Sequence, residues 1–203
     1  MNILVFDTCL DKMYVTLRNE QKILSSQIVE NTESKYHSAF LISTVTNVLK
    51  DNGLTPKDLN VIGINIGPGS FTGIRACTTV ARVMAQELNI KAIGISSLEI
   101  LSKIGKKNSL VALDARKNKV YLWYDDEVKG AVDLEEVKEI IKNGDYEVIT
   151  DDKLKPILGG KSYQENSYPL GDILSELVLE KLPSSEGNWA EVLPLYIQPP
   201  PMG

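Results

Sequence analysis

A glycine-rich turn between a short apolar segment and an amphipathic one most constrains what this chain can fold into. The turn reads Gly67-Pro68-Gly69-Ser70-Phe71-Thr72-Gly73-Ile74-Arg75. Residues 61–66 before it are apolar and rich in β-branched side chains, which predicts a buried strand. The apolar residues after it recur at steps of three and four, which predicts one face of a helix: Ile74, Cys77, Ala81, Met84 and Leu88.

The glycines of this turn permit backbone conformations that a Cβ forbids, and the start of the following helix offers free N–H groups. Such a turn suits an anion or a close partner. From the residues alone, a tight turn that only permits close packing is the simpler explanation. The turn matches neither the dinucleotide pattern nor the Walker A pattern. A second candidate, Gly159-Gly160-Lys161-Ser162, fails Walker A because the required first glycine falls on Lys155.

The bulk properties limit the possible functions. The 203 residues suffice for one large domain or two small ones. A net charge of −5 argues against this chain alone binding a nucleic-acid backbone, because binding to phosphates requires a basic surface. The first residues lack the features of a signal peptide, and no apolar run approaches the ~18 residues that span a bilayer. Cys9 and Cys77 stand in no metal-ligand spacing, so we expect two reduced, buried thiols in a cytoplasmic protein.

The order of predicted elements divides the chain into two similar halves, residues 1–105 and 106–203. For the first half we predict three antiparallel strands, a helix, a strand, the helix after the turn, a strand and a short helix: 3–7, 13–18, 22–29, 34–50, 61–66, 71–88, 90–95 and 96–105. For the second half we predict two strands, a helix, two more strands and a last helix: 110–114, 120–124, 134–142, 146–150, 154–158 and 172–182. A proline-rich tail follows. The order is that of an α/β protein with antiparallel hairpins joined to parallel strands.

Few residues suit catalysis. His37 is the only histidine, which argues against a zinc site or a Ser-His-Asp triad. Asp7-Thr8 follows the first predicted strand, where a carboxylate can hold a metal or a nucleotide in a cleft, or simply cap a turn. Asp114-Ala115-Arg116 belongs to a predicted hairpin turn, and a salt bridge of Asp114 accounts for it.

Taken together, these residues resemble the TsaB family, formerly called YeaZ, the non-catalytic paralogues of the tRNA threonylcarbamoyladenosine transferase TsaD. The signature Gly-Pro-Gly-Ser-Phe-Thr-Gly-x-Arg is matched at every fixed position by residues 67–75. The supporting matches are residues 3–8, His37, residues 95–98, residues 113–121 and residues 194–196. Cys9 departs from the usual Ser, and Cys77 from the usual Gly.

The resemblance implies an actin-like (ASKHA) fold, with two ribonuclease H-like halves of which the second is truncated. It implies no catalytic or metal-binding residue here, because Ser97 and Leu101 stand where the paralogue carries two metal-binding histidines. It also implies a partner surface on the two helices of the first half: His37, Phe40, Leu41, Val45, Val48, Ile74, Cys77, Val80, Ala81 and Met84.

The implied role is that of a scaffold or activating subunit. The partners would be a TsaD-like catalytic subunit and a TsaE-like ATPase, with ATP and a metal held in those subunits. The tRNA would be reached through the complex, and the chain alone would form a homodimer. An actin-like ATPase or small-molecule kinase, a glycoprotease-type metallopeptidase and a stand-alone nucleic-acid-binding module are the alternatives.

Overall fold

The computed structural model describes residues 1–31, 36–106 and 108–198. Its strands are β1 (Asn2–Asp7), β2 (Met13–Asn19), β3 (Ile23–Val29), β4 (Val61–Asn65), β5 (Lys91–Ile95), β6 (Ser109–Asp114), β7 (Lys119–Tyr124), β8 (Glu127–Asp133), β9 (Glu147–Thr150) and β10 (Lys161–Ser162). Its α-helices are α1 (Leu41–Asp51), α2 (Phe71–Leu88), α3 (Ser97–Ser102), α4 (Leu134–Asn143), α5 (Lys155–Leu158) and α6 (Leu170–Lys181). None of the described helices is both long enough and apolar enough to cross a membrane.

The chain forms two compact units. The first contains Met1–Ser97 and Pro169–Leu195, and the second contains Leu98–Tyr168 together with the described residues after Leu195. This differs from the predicted division at residue 105, because α6 returns to pack against β1 and β2 of the first sheet. The residues of α6 do not themselves indicate which of the two sheets the helix packs against.

The sheet of the first unit has the order β3-β2-β1-β4-β5. β2 pairs antiparallel with β1 and β3, whereas β4 pairs parallel with β1 and β5. Side chains of β1 alternate between two faces. Leu4 and Phe6 join the core formed with α1 and α2. On the opposite face Val5 and Val178 of α6 both border Gly63. Burial on both faces explains why residues 3–6 of β1 and residues 61–64 of β4 are apolar.

The sheet of the second unit has the order β10-β9-β6-β7-β8. β7 pairs antiparallel with β6 and β8, whereas β9 pairs parallel with β6 and β10. The first sheet has the same arrangement, with β1 in the place of β6. The repetition agrees with the predicted α/β, actin-like fold of two ribonuclease H-like halves. The second half is the shorter one, since its last strand, β10, has 2 residues where β5 has 5.

Two predicted elements differ from the structure, and two strands were not predicted. Part of the predicted helix start falls on residues 32–35, outside the described residues, and a 3-10 turn at His37–Phe40 precedes α1. The unpredicted strands are β8 and β10. None of the residues of β8 is buried, Gly130 within it has φ +95°, and β10 has only 2 residues. Residues 154–158, predicted as a strand, form the short helix α5. Pro156 fits its first turn, where no backbone donor is needed.

Candidate functional site

The glycine turn joins β4 to α2 and packs directly on the residues that follow β1. A Cβ at Gly73 would stand 1.8 Å from the carbonyl oxygen of Thr8, and one at Gly69 would stand 2.3 Å from that of Cys9. The Ser70 N–H donates to the Cys9 carbonyl oxygen at 2.8 Å. No side chain beyond hydrogen fits at these two glycines, so the backbone segments can approach closely.

Several N–H groups of the turn are already used within the chain. The N–H of Gly67 donates to Asn65 Oδ1 at 2.8 Å, and that of Gly73 donates to Ser70 Oγ at 3.3 Å. The N–H of Ile74 donates to the Ser70 carbonyl oxygen at 2.8 Å. These groups are therefore not directed outward toward an anion. Of the two functions considered for the turn, the contacts favour close packing and the positioning of α2.

A buried polar cluster lies behind the turn, centred on Asp7 and Asn65. Asp7 Oδ1 accepts the Cys9 N–H at 2.6 Å, and Asp7 Oδ2 accepts Asn65 Nδ2 at 3.0 Å. Asn65 Oδ1 accepts both the Gly67 N–H and the Ser97 hydroxyl, each at 2.8 Å. The cluster thus links the ends of β1 and β4, the glycine turn and the start of α3.

Asp7 and Thr8 do not line an open cleft. Both are buried, and the Thr8 hydroxyl donates to the Gly73 carbonyl oxygen at 2.7 Å. Burial raises the pKa of Asp7 to about 6, although hydrogen bonds from Asn65 and Cys9 oppose the rise. The sequence-based placement of these two residues at a nucleotide cleft is corrected accordingly, because their side chains point into the interior of the first unit.

The two cysteines meet in the same cluster. Both are free and buried, as the sequence predicts. The Thr8 N–H donates to Cys77 Sγ at 3.1 Å, and the Cys9 thiol donates to the Asn65 carbonyl oxygen at 3.2 Å. Burial raises the pKa of the Cys9 thiol above its ordinary value. The sequence did not predict that Cys9 and Cys77 are close, because they are far apart along the chain. The one feature that sets both apart is that they replace the Ser and the Gly usual in the family.

Six of the ten residues predicted at the partner surface are instead buried within this chain: Leu41, Val45, Val48, Ile74, Cys77 and Ala81. They belong to the core that α1 and α2 share with β1, β2 and β4. A side chain used to hold the helices on the sheet is not available to a partner, so this part of the prediction is corrected. Phe40, Val80 and Met84 are partly buried against the same core, and the side chain of His37 lies outside the described part of the chain.

Other residues of these helices form the outward surface. Ile42 of α1 is 58% exposed, and on α2 Phe71 is 42% and Val83 is 54% exposed. The exposed positions of α1 before Lys50, and those of α2 up to Val83, are otherwise small or polar: Ser43, Thr46, Asn47, Thr72, Arg75 and Thr79. We call these six residues, together with Ile42, Phe71 and Val83, the α1–α2 surface. The buried stripe of α1 runs through Leu41, Thr44, Val45, Val48 and Leu49, which leaves Ile42 on the outward side.

The positions where the paralogue is expected to carry histidines hold buried residues. Ser97 is fully buried and bonded to Asn65, and Leu101 is fully buried. The second-half candidates also have structural roles. Asp114 accepts Lys153 Nζ and the Arg116 N–H, each at 2.9 Å. A Cβ at Gly160 would meet the Val148 carbonyl oxygen at 2.3 Å, so this glycine serves packing on β9.

Comparison with known proteins gives one consistent family. Residues 21–143 match the family described as TsaD, tRNA N6-adenosine threonylcarbamoyltransferase. The tRNA threonylcarbamoyladenosine biosynthesis protein TsaB of Buchnera aphidicola from Schizaphis graminum is 31% identical over 69% of this chain and 72% of its own. TsaB of Bacillus subtilis is 29% identical over 78% of this chain and 69% of its own. The solved structure of YeaZ from Pseudomonas aeruginosa, 21% identical, superposes with a TM-score of 0.75 over 96% of this chain and 99% of its own, which supports the fold.

Proposed function

Because the chain belongs to the TsaB family, we propose that it acts in tRNA threonylcarbamoyladenosine biosynthesis as a non-catalytic subunit that docks on a TsaD-type transferase and activates it. The observation that carries the docking role is the α1–α2 surface. Exposed Ile42, Phe71 and Val83 lie among small and polar side chains on two helices that cover one face of the same sheet.

This surface has the composition of an interface. Its nine residues include one charged side chain, Arg75, whose guanidinium carbon lies 5.5 Å from the centre of the Phe71 ring. Few charges and a central aromatic or aliphatic anchor are typical of the cores of protein–protein interfaces. Two helices that meet two helices of a partner pack as a four-helix bundle. The same surface allows a second copy of the chain to bind when the transferase is absent.

The non-catalytic role is supported by the residues at the sites where chemistry is expected. Ser97 and Leu101 supply no imidazole for the metal of a TsaD-type site. Several N–H groups of the glycine turn are satisfied internally. ATP and the catalytic metal belong to the partner subunits in this proposal, which include a TsaE-like ATPase. The net charge of −5 favours contact with tRNA through the complex, in the cytoplasm.

The docking surface is tested with two single substitutions of similarly exposed residues. Val83→Glu places a charge on the α1–α2 surface, and Ile157→Glu places one on α5, where Ile157 is 49% exposed. Val48 and Ala81 are unsuitable for this purpose because both are fully buried, so changing them would disturb the fold.

Binding is measured by titration calorimetry against the TsaD-type transferase of the same organism. We expect Val83→Glu to weaken binding by at least about tenfold, because it buries an unpaired charge. Ile157→Glu is expected to bind like the wild type, and circular dichroism verifies that both variants are folded. Equal binding by Val83→Glu and the wild type would show that the docking surface lies elsewhere.

A further inference from the structure

Three possible metal ligands from distant parts of the chain meet in the core of the first unit. The nearest ligand atoms of Asp7, Cys9 and Cys77 all lie within 4.8 Å of one another. Asp7 ends β1, Cys9 lies in the loop after it, and Cys77 lies on α2. Among the described residues this is the one group of three or more His, Cys, Asp or Glu side chains that could hold a metal ion.

Hydrogen-bond donors surround Cys77 and Asp7, as they commonly surround metal ligands in proteins. The Thr8 N–H donates to Cys77 Sγ at 3.1 Å. The Cys9 N–H and Asn65 Nδ2 donate to the two oxygens of Asp7 at 2.6 and 3.0 Å. Donors of this kind orient the metal ligands and offset the negative charge of thiolates and carboxylates. Asn65 is itself held by Gly67 and Ser97, so the arrangement does not depend on mobile side chains.

A further oxygen is available beside the three ligands. Thr8 Oγ1 lies 3.1 Å from Cys77 Sγ. Because its hydroxyl proton is directed to the Gly73 carbonyl oxygen at 2.7 Å, a lone pair of Thr8 Oγ1 faces Cys77 Sγ and becomes available to a metal when that thiol loses its proton. Two sulfurs with two oxygens form a donor set suited to a tetrahedral, borderline-soft divalent cation.

We propose that Asp7, Cys9 and Cys77 bind one divalent zinc-class cation. Binding replaces the two thiol protons, which pass to solvent, and leaves two thiolates and a carboxylate around the metal. The sequence spacing predicted no metal site, and the proposal does not depend on docking to a transferase. A disulfide between the two cysteines would need an oxidant and would leave the Asp7 carboxylate without a cation.

The proposed cation would act on the glycine turn. Cys9 accepts the Ser70 N–H through its carbonyl oxygen, and Gly69 and Gly73 pack on the backbone of residues 8 and 9. A metal that joins Cys9 to Cys77 therefore fixes the first two turns of α2 to the end of β1. We expect zinc to stabilise the first unit against unfolding, because a ligand that binds the folded state raises its stability.

The full chain is stripped with a chelator, kept reduced with a phosphine, and titrated with Zn²⁺ by calorimetry. Because the ligands are buried, zinc is also supplied during refolding from urea, and the retained metal is counted by mass spectrometry of the intact protein. We expect one zinc per chain, a higher melting temperature with zinc, and thiolate-to-metal absorption in the near ultraviolet when Co²⁺ replaces it.

Three variants identify the ligands. Cys9→Ser and Cys77→Ala should each lower the cobalt absorption, because one of the two thiolates is lost. Each should also bind zinc at least about tenfold more weakly, since even the loss of a group that only orients a ligand costs roughly 10–100-fold. Asp7→Asn should weaken binding but keep the thiolate absorption. Gln86→Ala, on the exposed side of α2 and outside the α1–α2 surface, is the control and should bind like the wild type.

Three results would overturn the proposal. The first is a folded wild-type chain that takes up no zinc by either route. The second is unchanged zinc binding in both cysteine variants. The third is a Cys9–Cys77 disulfide, found by peptide mapping, in a chain that takes up no zinc; the pair would then be a redox couple.

Discussion

Replacing Gly73 by alanine tests the close packing of α2 on the residues after β1. Gly73 lies in the first turn of α2 and is buried. Its added Cβ would stand 1.8 Å from the Thr8 carbonyl oxygen and 2.7 Å from the Thr8 carbonyl carbon. Both are backbone atoms, so neither can move aside by rotating a side chain. The helix or the segment after β1 must shift by roughly 1 Å or more to reach ordinary contact distance.

Two opposing effects set the size of the change. In an unconstrained helix, Gly→Ala raises stability by about 1 kcal/mol, because alanine loses less backbone entropy. Overpacking a rigid core costs about 1–3 kcal/mol, and occasionally more. The backbone contact is far inside van der Waals distance, so we take the upper end of that range. A packing cost of about 3 kcal/mol exceeds the helix-propensity gain of about 1 kcal/mol. We therefore expect Gly73→Ala to lower the free energy of unfolding by about 2 kcal/mol, whereas helix propensity alone would raise it.

The assay is urea unfolding followed by tryptophan fluorescence. The chain has two tryptophans, and Trp123→Phe leaves Trp189 of the first unit as the reporter. Trp189 is sensitive to α2 because its ring lies 5.6 Å from the guanidinium carbon of Arg82. Thr72→Ala is the matched control and should change stability by less than about 0.5 kcal/mol. A Gly73→Ala chain that unfolds at the same or a higher urea concentration would refute the close approach.

Three further predictions concern the buried cluster and the helix start. In the metal-free chain, the raised pKa of Asp7, about 6 against 3.8 when unfolded, means that the folded state keeps a proton that the unfolded state loses. Stability should therefore fall by up to about 3 kcal/mol as the pH rises from about 3.8 to 6, and the difference between the wild type and Asp7→Asn in urea titrations should show it. Asn65→Ala leaves Asp7, the Gly67 N–H and Ser97 short of partners and should lower the melting temperature; stability equal to the wild type would contradict the network. Ser70→Ala removes the N-cap of α2 and should cost about 0.5–2 kcal/mol in urea unfolding, while an unchanged midpoint would show that the cap contributes nothing.

The strand–turn–helix unit was predictable because its local signals agree. An apolar strand, a glycine turn and a helical period follow one another, and α2 ends at Leu88 as expected. The buried side of α1 was less predictable. Leu41, Ile42, Val45, Val48 and Leu49 surround much of the helix, so periodicity alone does not decide between Leu41 and Ile42. Packing on the first sheet buries Leu41 and leaves Ile42 exposed.

The candidate sites depended on contacts between distant segments, which a single sequence does not reveal. Cys9 and Cys77 stand on different elements, and only the pairing of β1 with β4 and the packing of α2 bring them to Asp7. Six of the residues predicted for the partner surface belong to the core, whereas other residues of α1 and α2 are exposed. Apolar side chains in a helix have the same periodicity whether they face a sheet or a partner, so the two roles separate only when burial is known.

The most direct test of the docking role is product formation in a reconstituted reaction. Threonylcarbamoyladenosine in tRNA is quantified by mass spectrometry with the TsaD-type transferase, its ATPase partner and increasing amounts of this chain. We predict no product from this chain alone, a saturable increase when it is added to the partners, and loss of that increase with Val83→Glu but not with Ile157→Glu. Product formed by this chain alone, or full activation by the Val83→Glu chain, would contradict a non-catalytic subunit that acts through α1 and α2.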